Sequence, residues 1–175
     1  MTLLIVQVWK EYVPKASISF LEYDKPCAAK WKVSIESDAG GTLYTGDQAD
    51  PAVLTKIVKA GAQFDMIVDD GGHFANQMIL SLELLWPLIK PGGFYVVEDI
   101  HCNYEPAYSE GDFGARGTFM RYLKHQLDLL LSMGTPNVVP RGSEALVSDL
   151  ISIDCFAQSC VFIKMASRGK NLRSF

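Results

Sequence analysis

The chain has 175 residues, of which 49% are apolar and 21% charged, as is typical of one globular domain. The formal net charge of −4 argues against nucleic acid as the main partner, because no basic face is indicated. No apolar run approaches the ~20 residues that span a bilayer, and no secretory signal is evident. We therefore expect a single domain over 1–175.

The first predicted elements alternate between strand and helix, which is the pattern of a parallel sheet covered by helices. Strands are predicted over 16–23 and 42–45. A helix is then predicted from Pro51, capped by Asp50 and ended by Gly61.

The middle of the chain continues this alternation. A strand buried on both faces is predicted over 64–68, and the next strand over 92–97. Between them, apolar residues at helical spacing predict a helix over 76–90 that ends at the Pro-Gly-Gly sequence of 91–93.

The last third of the chain begins with a loop over 103–117, rich in Gly, Tyr and Glu, which we expect to be mobile. Thr118 is then predicted to cap a helix that runs to about Met133. Two β-rich runs, 150–156 and 160–165, are joined by so few residues that they must pair antiparallel. The predicted fold class is therefore α/β, with a mostly parallel sheet and an antiparallel C-terminal hairpin.

The cysteines show no C-x-x-C spacing, so neither a zinc site nor a redox motif is indicated. Cys155 and Cys160 can face each other across the predicted hairpin, but we expect thiols in the core. A reducing cytoplasm is the compartment that this cysteine usage favours.

Two of the predicted strands end in acidic residues. Asp69 and Asp70 end the first and are followed by two glycines and His73, and Glu98 and Asp99 end the second. Ligands bind beyond the carboxyl ends of parallel strands, and neighbouring strands lie ~4.8 Å apart. Both acidic ends can therefore converge on one cation or polar ligand. The alternative is that these acidic residues merely begin loops. That interpretation is adequate for one acidic strand end, but two such ends favour a site.

These residues resemble class I S-adenosylmethionine-dependent methyltransferases, and more narrowly the macrocin and mycinamicin type of metal-dependent sugar O-methyltransferases. The Asp-Asp-Gly-Gly-His run combined with the Glu-Asp pair is specific, whereas the Pro-Gly-Gly turn recurs in many methyltransferases. The matching stretches are 9–14, 46–51, 64–73, 88–93 and 97–100 with Tyr104. The resemblance implies a Rossmann-like methyltransferase sheet.

The resemblance also implies a cofactor site for S-adenosylmethionine. Glu22 matches the acid that accepts hydrogen bonds from the ribose hydroxyls, and Asp47 matches the residue at the adenine end. Asp69 and Asp70 match residues beside the cofactor. A solvated strand end is the alternative interpretation of Glu22.

The metal and the general base follow from the same resemblance. Asp70, Glu98 and Asp99 match the Mg²⁺ ligands, and carboxylates suit a hard cation. His73 matches the base that takes a proton from a sugar hydroxyl. Without metal, three close carboxylates repel, so at least one pKa should be raised. The alternative for His73 is a helix N-terminal residue with backbone contacts only, and His101 is assigned no role.

One departure concerns the family's first strand and its glycine-rich turn, where backbone approaches the cofactor. No glycine precedes Trp9, and too few residues follow 2–8 for a parallel crossover before the strand at 16–23. We therefore expect an N-terminally truncated chain that begins within the family's first helix. We also expect its sheet to lack a central strand and its affinity for S-adenosylmethionine to be poor.

Two functions from different classes follow. The first is an O-methyltransferase that acts on a hydroxyl of a sugar or another natural product. The second is a truncated, non-catalytic relative, either a pseudoenzyme or an association subunit. A metal hydrolase is a third interpretation, but such sites commonly contain several histidines. The expected partner is a small-molecule hydroxyl acceptor, not nucleic acid or a membrane, and a homo-oligomer is left open.

Overall fold

The computed structural model describes residues 2–33, 35–36, 40–108, 118–133 and 144–166. The chain divides into two compact units, Met1–Ile57 and Val58–Phe175, which are taken in turn. Within the described ranges, no helix combines the length and the apolar character needed to cross a bilayer.

The first unit contains a two-stranded parallel sheet with helices. Phe20 pairs with Leu43, and Glu22 pairs with Thr45. Val6 and Ile35 are buried in its core. The elements are α1 (Thr2–Tyr12), β1 (Phe20–Glu22), α2 (Lys25–Val33), β2 (Leu43–Thr45) and most of α3 (Pro51–Lys59).

Strand β1 is shorter than the predicted 16–23. The Ser19 hydroxyl accepts the Thr42 N–H at 3.0 Å, so a side chain takes the place of the backbone and the ladder begins only at Phe20. Helix α2 is absent from the sequence predictions. Asp24 Oδ1 accepts the Cys27 N–H at 2.7 Å, so an aspartate at the N-cap position indicates the start of this helix in the sequence.

Helix α3 confirms its predicted start and end. Asp50 Oδ1 accepts the Ala52 N–H at 2.8 Å, which satisfies a free donor of the first turn. Gly61 follows the helix with a φ of 69°, the left-handed conformation that glycine adopts most easily.

The second unit is built on a four-stranded sheet of order β3-β4-β6-β5, in which β3 and β4 are parallel and β6 is antiparallel to both neighbours. These pairings confirm the predicted α/β class and its antiparallel hairpin. The elements are β3 (Phe64–Asp69), α4 (Ala75–Leu85), β4 (Ile89–Val97), α5 (Phe119–Ser132), α6 (Glu144–Asp149), β5 (Leu150–Cys155) and β6 (Cys160–Lys164).

The described strands form two separate sheets, one in each unit. β1 and β2 form a sheet of their own, and β3 lies at the edge of the four-stranded sheet. Apart from the exposed Asp65, residues 64–68 of β3 are apolar, a composition more typical of an interior strand.

Helix α4 ends earlier than the predicted residue 90. It stops at Leu85, and a 3-10 helix, Trp86–Leu88, follows, because Pro87 has no N–H to continue the helical ladder. Ile89 lies at helical spacing in the sequence but begins β4 instead. The register against β3 is irregular between Ile89 and Phe94, where the extra residues are accommodated.

The hairpin of β5 and β6 corrects the prediction for its cysteines. Cys155 and Cys160 form a disulfide with their Cα atoms 4.1 Å apart, so the expectation of core thiols is wrong. The register places the two residues directly opposite each other, close enough to bond. Cys27 and Cys102 are free thiols. The disulfide removes the cysteine argument for a reducing compartment, and the cytoplasmic location stays a prediction.

Helix α5 confirms the predicted cap. Thr118 Oγ1 accepts the Arg121 N–H at 3.2 Å, and the helix continues to Ser132. The predicted loop over 103–117 begins inside a 3-10 helix, Ile100–Tyr104, and its part 109–117 lies outside the described residues. Helix α6 was not predicted.

Candidate functional site

The acidic ends of β3 and β4 lie at one edge of the sheet. Asp69 pairs with Val97, the last residues of the two parallel strands. The Glu98 N–H donates to the Asp69 carbonyl at 2.9 Å, which holds the two ends together. Residues that follow these strands therefore share one location.

Asp70, His73 and Asp99 converge at this edge. One ligand atom from each lies within 4.8 Å of the others, and we call these three residues the carboxylate–histidine cluster. His73 Nε2 is 3.6 Å from Asp99 Oδ2. Two carboxylates and an imidazole at this spacing can share a cation or exchange a proton.

Glu98 is close to the cluster without being one of its three members. Burial is the main cause that raises the pKa of Glu98, and the negative charges of Asp70 and Asp99 raise it further, against a lowering by His73. The expected repulsion among the carboxylates is therefore present, although burial contributes more than charge.

Backbone strain coincides with the cluster. In the described part of the chain, the non-glycine residues with positive φ are His73, at 60°, and Asp99, at 49°. Such conformations cost on the order of 1–3 kcal/mol, although His and Asp tolerate them better than most residues, and they concentrate at functional sites. A Cβ at Gly72 would displace the end of the Gln77 side chain, which packs against this glycine.

The imidazole of His73 is oriented by its surroundings. Its Nδ1 atom is buried and has no hydrogen-bond partner among the described residues, whereas Nε2 points toward Asp99. The ring of Tyr108 packs against it edge-on, with centroids 6.2 Å apart. Nε2 is therefore the nitrogen available to a ligand at the cluster.

His101 is a neighbour that the sequence analysis missed. Its Nδ1 lies 3.7 Å from Asp99 Oδ1, whereas His73 approaches the other oxygen, Oδ2. The 3-10 helix Ile100–Tyr104 turns His101 back toward Asp99, and no strand pattern signals that turn.

Asp69 points into the protein. It is 9% exposed and accepts a hydrogen bond from the fully buried Tyr95 hydroxyl at 3.1 Å. Burial first, and then the charge of Asp69, raise the pKa of Tyr95 well above its ordinary value. The hydroxyl therefore stays protonated and remains a donor to Asp69.

Replacing Tyr95 by phenylalanine should lower the free energy of unfolding by ~1–3 kcal/mol, because the buried Asp69 loses a donor while the ring still packs. Urea unfolding followed by circular dichroism measures the change. Tyr104→Phe is the control, since Tyr104 is 60% exposed and should change stability little. Equal stability of Tyr95→Phe and the wild type would contradict the role of this hydrogen bond.

The two predicted cofactor acids of the first unit have local hydrogen bonds. Glu22 Oε1 accepts the Asp24 N–H at 2.8 Å, and Asp47 Oδ1 accepts the Ala49 N–H at 2.8 Å. The Gly46 N–H donates to the Glu22 carbonyl at 3.0 Å, so the ends of β1 and β2 adjoin. Glu22 therefore stabilises its own turn, and its contact with a ribose stays a prediction.

Two cavities lie beside α5, away from the cluster. Their volumes are about 210 and 380 Å³, and Thr118 and Arg121 line both. His125 lines the larger one. Neither cavity is lined by the acidic strand ends, so the convergence of ligand atoms, and not cavity volume, locates the candidate site.

Glu98 gives the metal-free protein a predictable pH dependence. A carboxyl whose pKa is raised by folding contributes stability that is full below its ordinary value of 4.5 and is lost as pH rises through the folded value. At pH 7, Glu98→Gln should therefore have a higher free energy of unfolding in urea than the wild type. The difference should be at most ~1 kcal/mol, because Glu98 is partly exposed. This gap should shrink toward pH 4. Glu105→Gln is the control and should show no such difference. A Glu98→Gln protein that is less stable than the wild type at pH 7 would contradict this pH dependence.

No protein-family model matches the chain. Demethylmacrocin O-methyltransferase of Streptomyces fradiae is 32% identical over 104 residues, which are 59% of this chain and 24% of that protein. The 8-demethyl-8-alpha-L-rhamnosyl tetracenomycin-C 2'-O-methyltransferase of Streptomyces olivaceus is 35% identical over 123 residues, which are 70% of this chain and 31% of that protein. The chain therefore spans about a quarter to a third of these relatives.

A solved methyltransferase structure resembles the fold of this chain. The MycE methyltransferase from the mycinamycin biosynthetic pathway, in complex with Mg and SAH, superposes with a TM-score of 0.70 at 25% identity. The match covers 90% of this chain and 39% of that chain. In sequence and in fold, the chain is thus a homologue of the macrocin- and mycinamicin-type sugar O-methyltransferases, as its motifs predicted.

Proposed function

We propose that the protein is an S-adenosylmethionine-dependent O-methyltransferase that acts on a hydroxyl of a sugar or another natural product. The observation that supports it most is the carboxylate–histidine cluster at the ends of two parallel strands, in a homologue of sugar O-methyltransferases. The chain spans 24–39% of the proteins it matches.

The proposed metal site consists of Asp70, Glu98 and Asp99. Carboxylate oxygens suit Mg²⁺, and a divalent cation would relieve the repulsion that contributes to the raised pKa of Glu98. When bound, Mg²⁺ would orient the acceptor hydroxyls and lower their pKa.

His73 is the proposed general base. Its Nε2 faces the cluster and would take the proton of the acceptor hydroxyl, while the acceptor oxygen bonds to the methyl carbon of S-adenosylmethionine. The carbon–sulfur bond breaks with its electrons on sulfur, and S-adenosylhomocysteine leaves. The Asp99 carboxylate, 3.6 Å away, would stabilise the imidazolium that forms.

The proposed cofactor contacts are those of Glu22, Asp47, Asp69 and Asp70. Glu22 and Asp47 each use one carboxylate oxygen for a local turn, which leaves the second oxygen for a ligand. We further propose that 1–175 is a single, incomplete methyltransferase-like domain, with a cytoplasmic location.

The proposal is tested with protein expressed from its complete reading frame. Methyl-labelled S-adenosylmethionine is supplied with Mg²⁺ and a panel of macrolides and aromatic polyketides that carry deoxysugars. We expect label on a sugar hydroxyl, and its loss when EDTA removes the metal. Cofactor binding with no transfer to any acceptor would favour the non-catalytic alternative, and transfer that persists in EDTA would refute the metal's part.

A further inference from the structure

The turn of the β5–β6 hairpin contacts the backbone beside Asp99. The Gln158 carbonyl accepts the Ile100 N–H at 2.9 Å. Ile100 directly follows Asp99, whose φ is 49°. The carbonyl of the same peptide group, that of Asp99, accepts the Cys102 N–H at 2.9 Å. The two hydrogen bonds together orient the peptide group between Asp99 and Ile100.

The segment Glu98–Asp99 is held from both sides. Before it, the Glu98 N–H donates to the Asp69 carbonyl at 2.9 Å, and after it the Ile100 N–H donates to the Gln158 carbonyl. A left-handed Asp99 costs free energy, so it persists only where its neighbours hold it. The hairpin turn supplies one of the hydrogen bonds that hold it.

The turn itself has little packing to hold it. Phe156, Ala157 and Gln158 are exposed. The Phe156 N–H donates to the Ser159 carbonyl at 2.8 Å, and the Cys155–Cys160 disulfide closes the turn covalently at its base. Because these three residues are exposed, the disulfide is a main constraint on where the Gln158 carbonyl points.

We propose that the turn 156–159 is a positioning element for Asp99, held by the Cys155–Cys160 disulfide, so that reduction of the disulfide weakens divalent-metal binding at the cluster. This inference rests on the proposed function, which gives Asp99 its metal. It adds a redox sensitivity that the proposed chemistry does not require.

The reduction is an ordinary thiol–disulfide exchange with a small dithiol. Cys155 is exposed and Cys160 is fully buried, so the dithiol's thiolate attacks the sulfur of Cys155 and Cys160 leaves as a thiolate. The second thiol of the reductant then displaces Cys155, and the reductant departs as a cyclic disulfide. The protein gains two electrons and two protons in this exchange.

The test is calorimetric titration of the full chain with Mg²⁺, in the oxidised form and after treatment with dithiothreitol and anaerobic desalting. We expect the dissociation constant to rise about fivefold to tenfold on reduction, the effect of losing one hydrogen bond, and to recover on reoxidation. Amide hydrogen exchange at Ile100 should become faster, while exchange at the buried Leu123 of α5 stays unchanged.

Two variants separate the disulfide from other thiols. Cys155→Ser/Cys160→Ser should bind Mg²⁺ as weakly as the reduced protein, whether or not reductant is added. Cys27→Ser, at a free thiol, should respond to reduction as the wild type does.

Three results would overturn the inference. Equal Mg²⁺ affinity in the two redox states would do so while leaving the proposed metal site intact. Equally accelerated exchange at Ile100 and Leu123 would show general loosening instead of local positioning. Failure of Mg²⁺ to bind either form would remove the proposed metal site and the positioning role together.

Discussion

Replacing His73 by alanine is expected to lower kcat about 10²–10⁴-fold in the complete protein, which is the usual contribution of a general base. The expectation follows from the position of Nε2, 3.6 Å from Asp99 and on the side of His73 that faces the acidic strand ends. KM for the acceptor should change little, because the imidazole would act on the proton and not on binding. Initial rates with labelled S-adenosylmethionine measure both constants.

His125→Ala is the matched control for this experiment. His125 lies on α5 and lines a cavity away from the cluster, so its loss should leave kcat nearly unchanged. His101→Ala is informative in a different way, because His101 also touches Asp99 and should have a smaller effect than His73. If His73→Ala keeps the wild-type kcat while His125→Ala is inactive, His73 is not the general base.

Replacing Glu22 by glutamine is expected to weaken binding of S-adenosylmethionine about 10–100-fold in the complete protein. A charged acceptor of hydroxyl hydrogen bonds contributes ~1.5–3 kcal/mol, which the neutral amide largely loses. The glutamine oxygen can still accept the Asp24 N–H, so the turn after β1 should survive. Fluorescence or calorimetric titration with S-adenosylhomocysteine gives the dissociation constants.

Glu11→Gln provides the comparison for Glu22, because Glu11 is an exposed residue of α1 in the same unit. It removes the same charge without touching the end of β1. If both variants lose affinity equally, the effect is one of net charge. If Glu22→Gln binds as the wild type does, Glu22 only stabilises its turn.

The acidic strand ends could be predicted because two local patterns coincide there. A short apolar run between predicted helices indicates a strand of a parallel sheet, and the polar residues that follow it then lie beyond the carboxyl end of that strand, where ligands bind. Asp70 and Asp99 are predicted to lie near each other on this basis, and in the structure their ligand atoms lie within 4.8 Å. The side-chain orientations are not needed for this prediction.

The predicted end of α4 is wrong because two local patterns in the sequence conflict there. Apolar residues continue at helical spacing as far as Ile89, yet Pro87 removes the N–H on which the helix depends. Weighing the proline above the periodicity would have ended α4 correctly. The first residues of β4 were missed for the same reason.

Other features depend on the strand register and the turn geometry of the folded backbone. The disulfide follows from the register that sets Cys155 opposite Cys160, and His101 reaches Asp99 through a 3-10 turn. The support of Asp99 by the Gln158 carbonyl joins residues on different elements and uses only backbone atoms. No side-chain pattern predicts such a bond.

The central claim, that the acidic strand ends form a divalent-metal site, is tested most directly by calorimetric titration of the oxidised chain with Mg²⁺. We predict one site in the wild type, with affinity at least about tenfold weaker in Asp70→Asn and in Asp99→Asn, each of which loses a charged ligand. Asp128→Asn, an exposed change on α5, should bind as the wild type does. Unchanged binding in both cluster variants, or no binding in the wild type, would contradict the account.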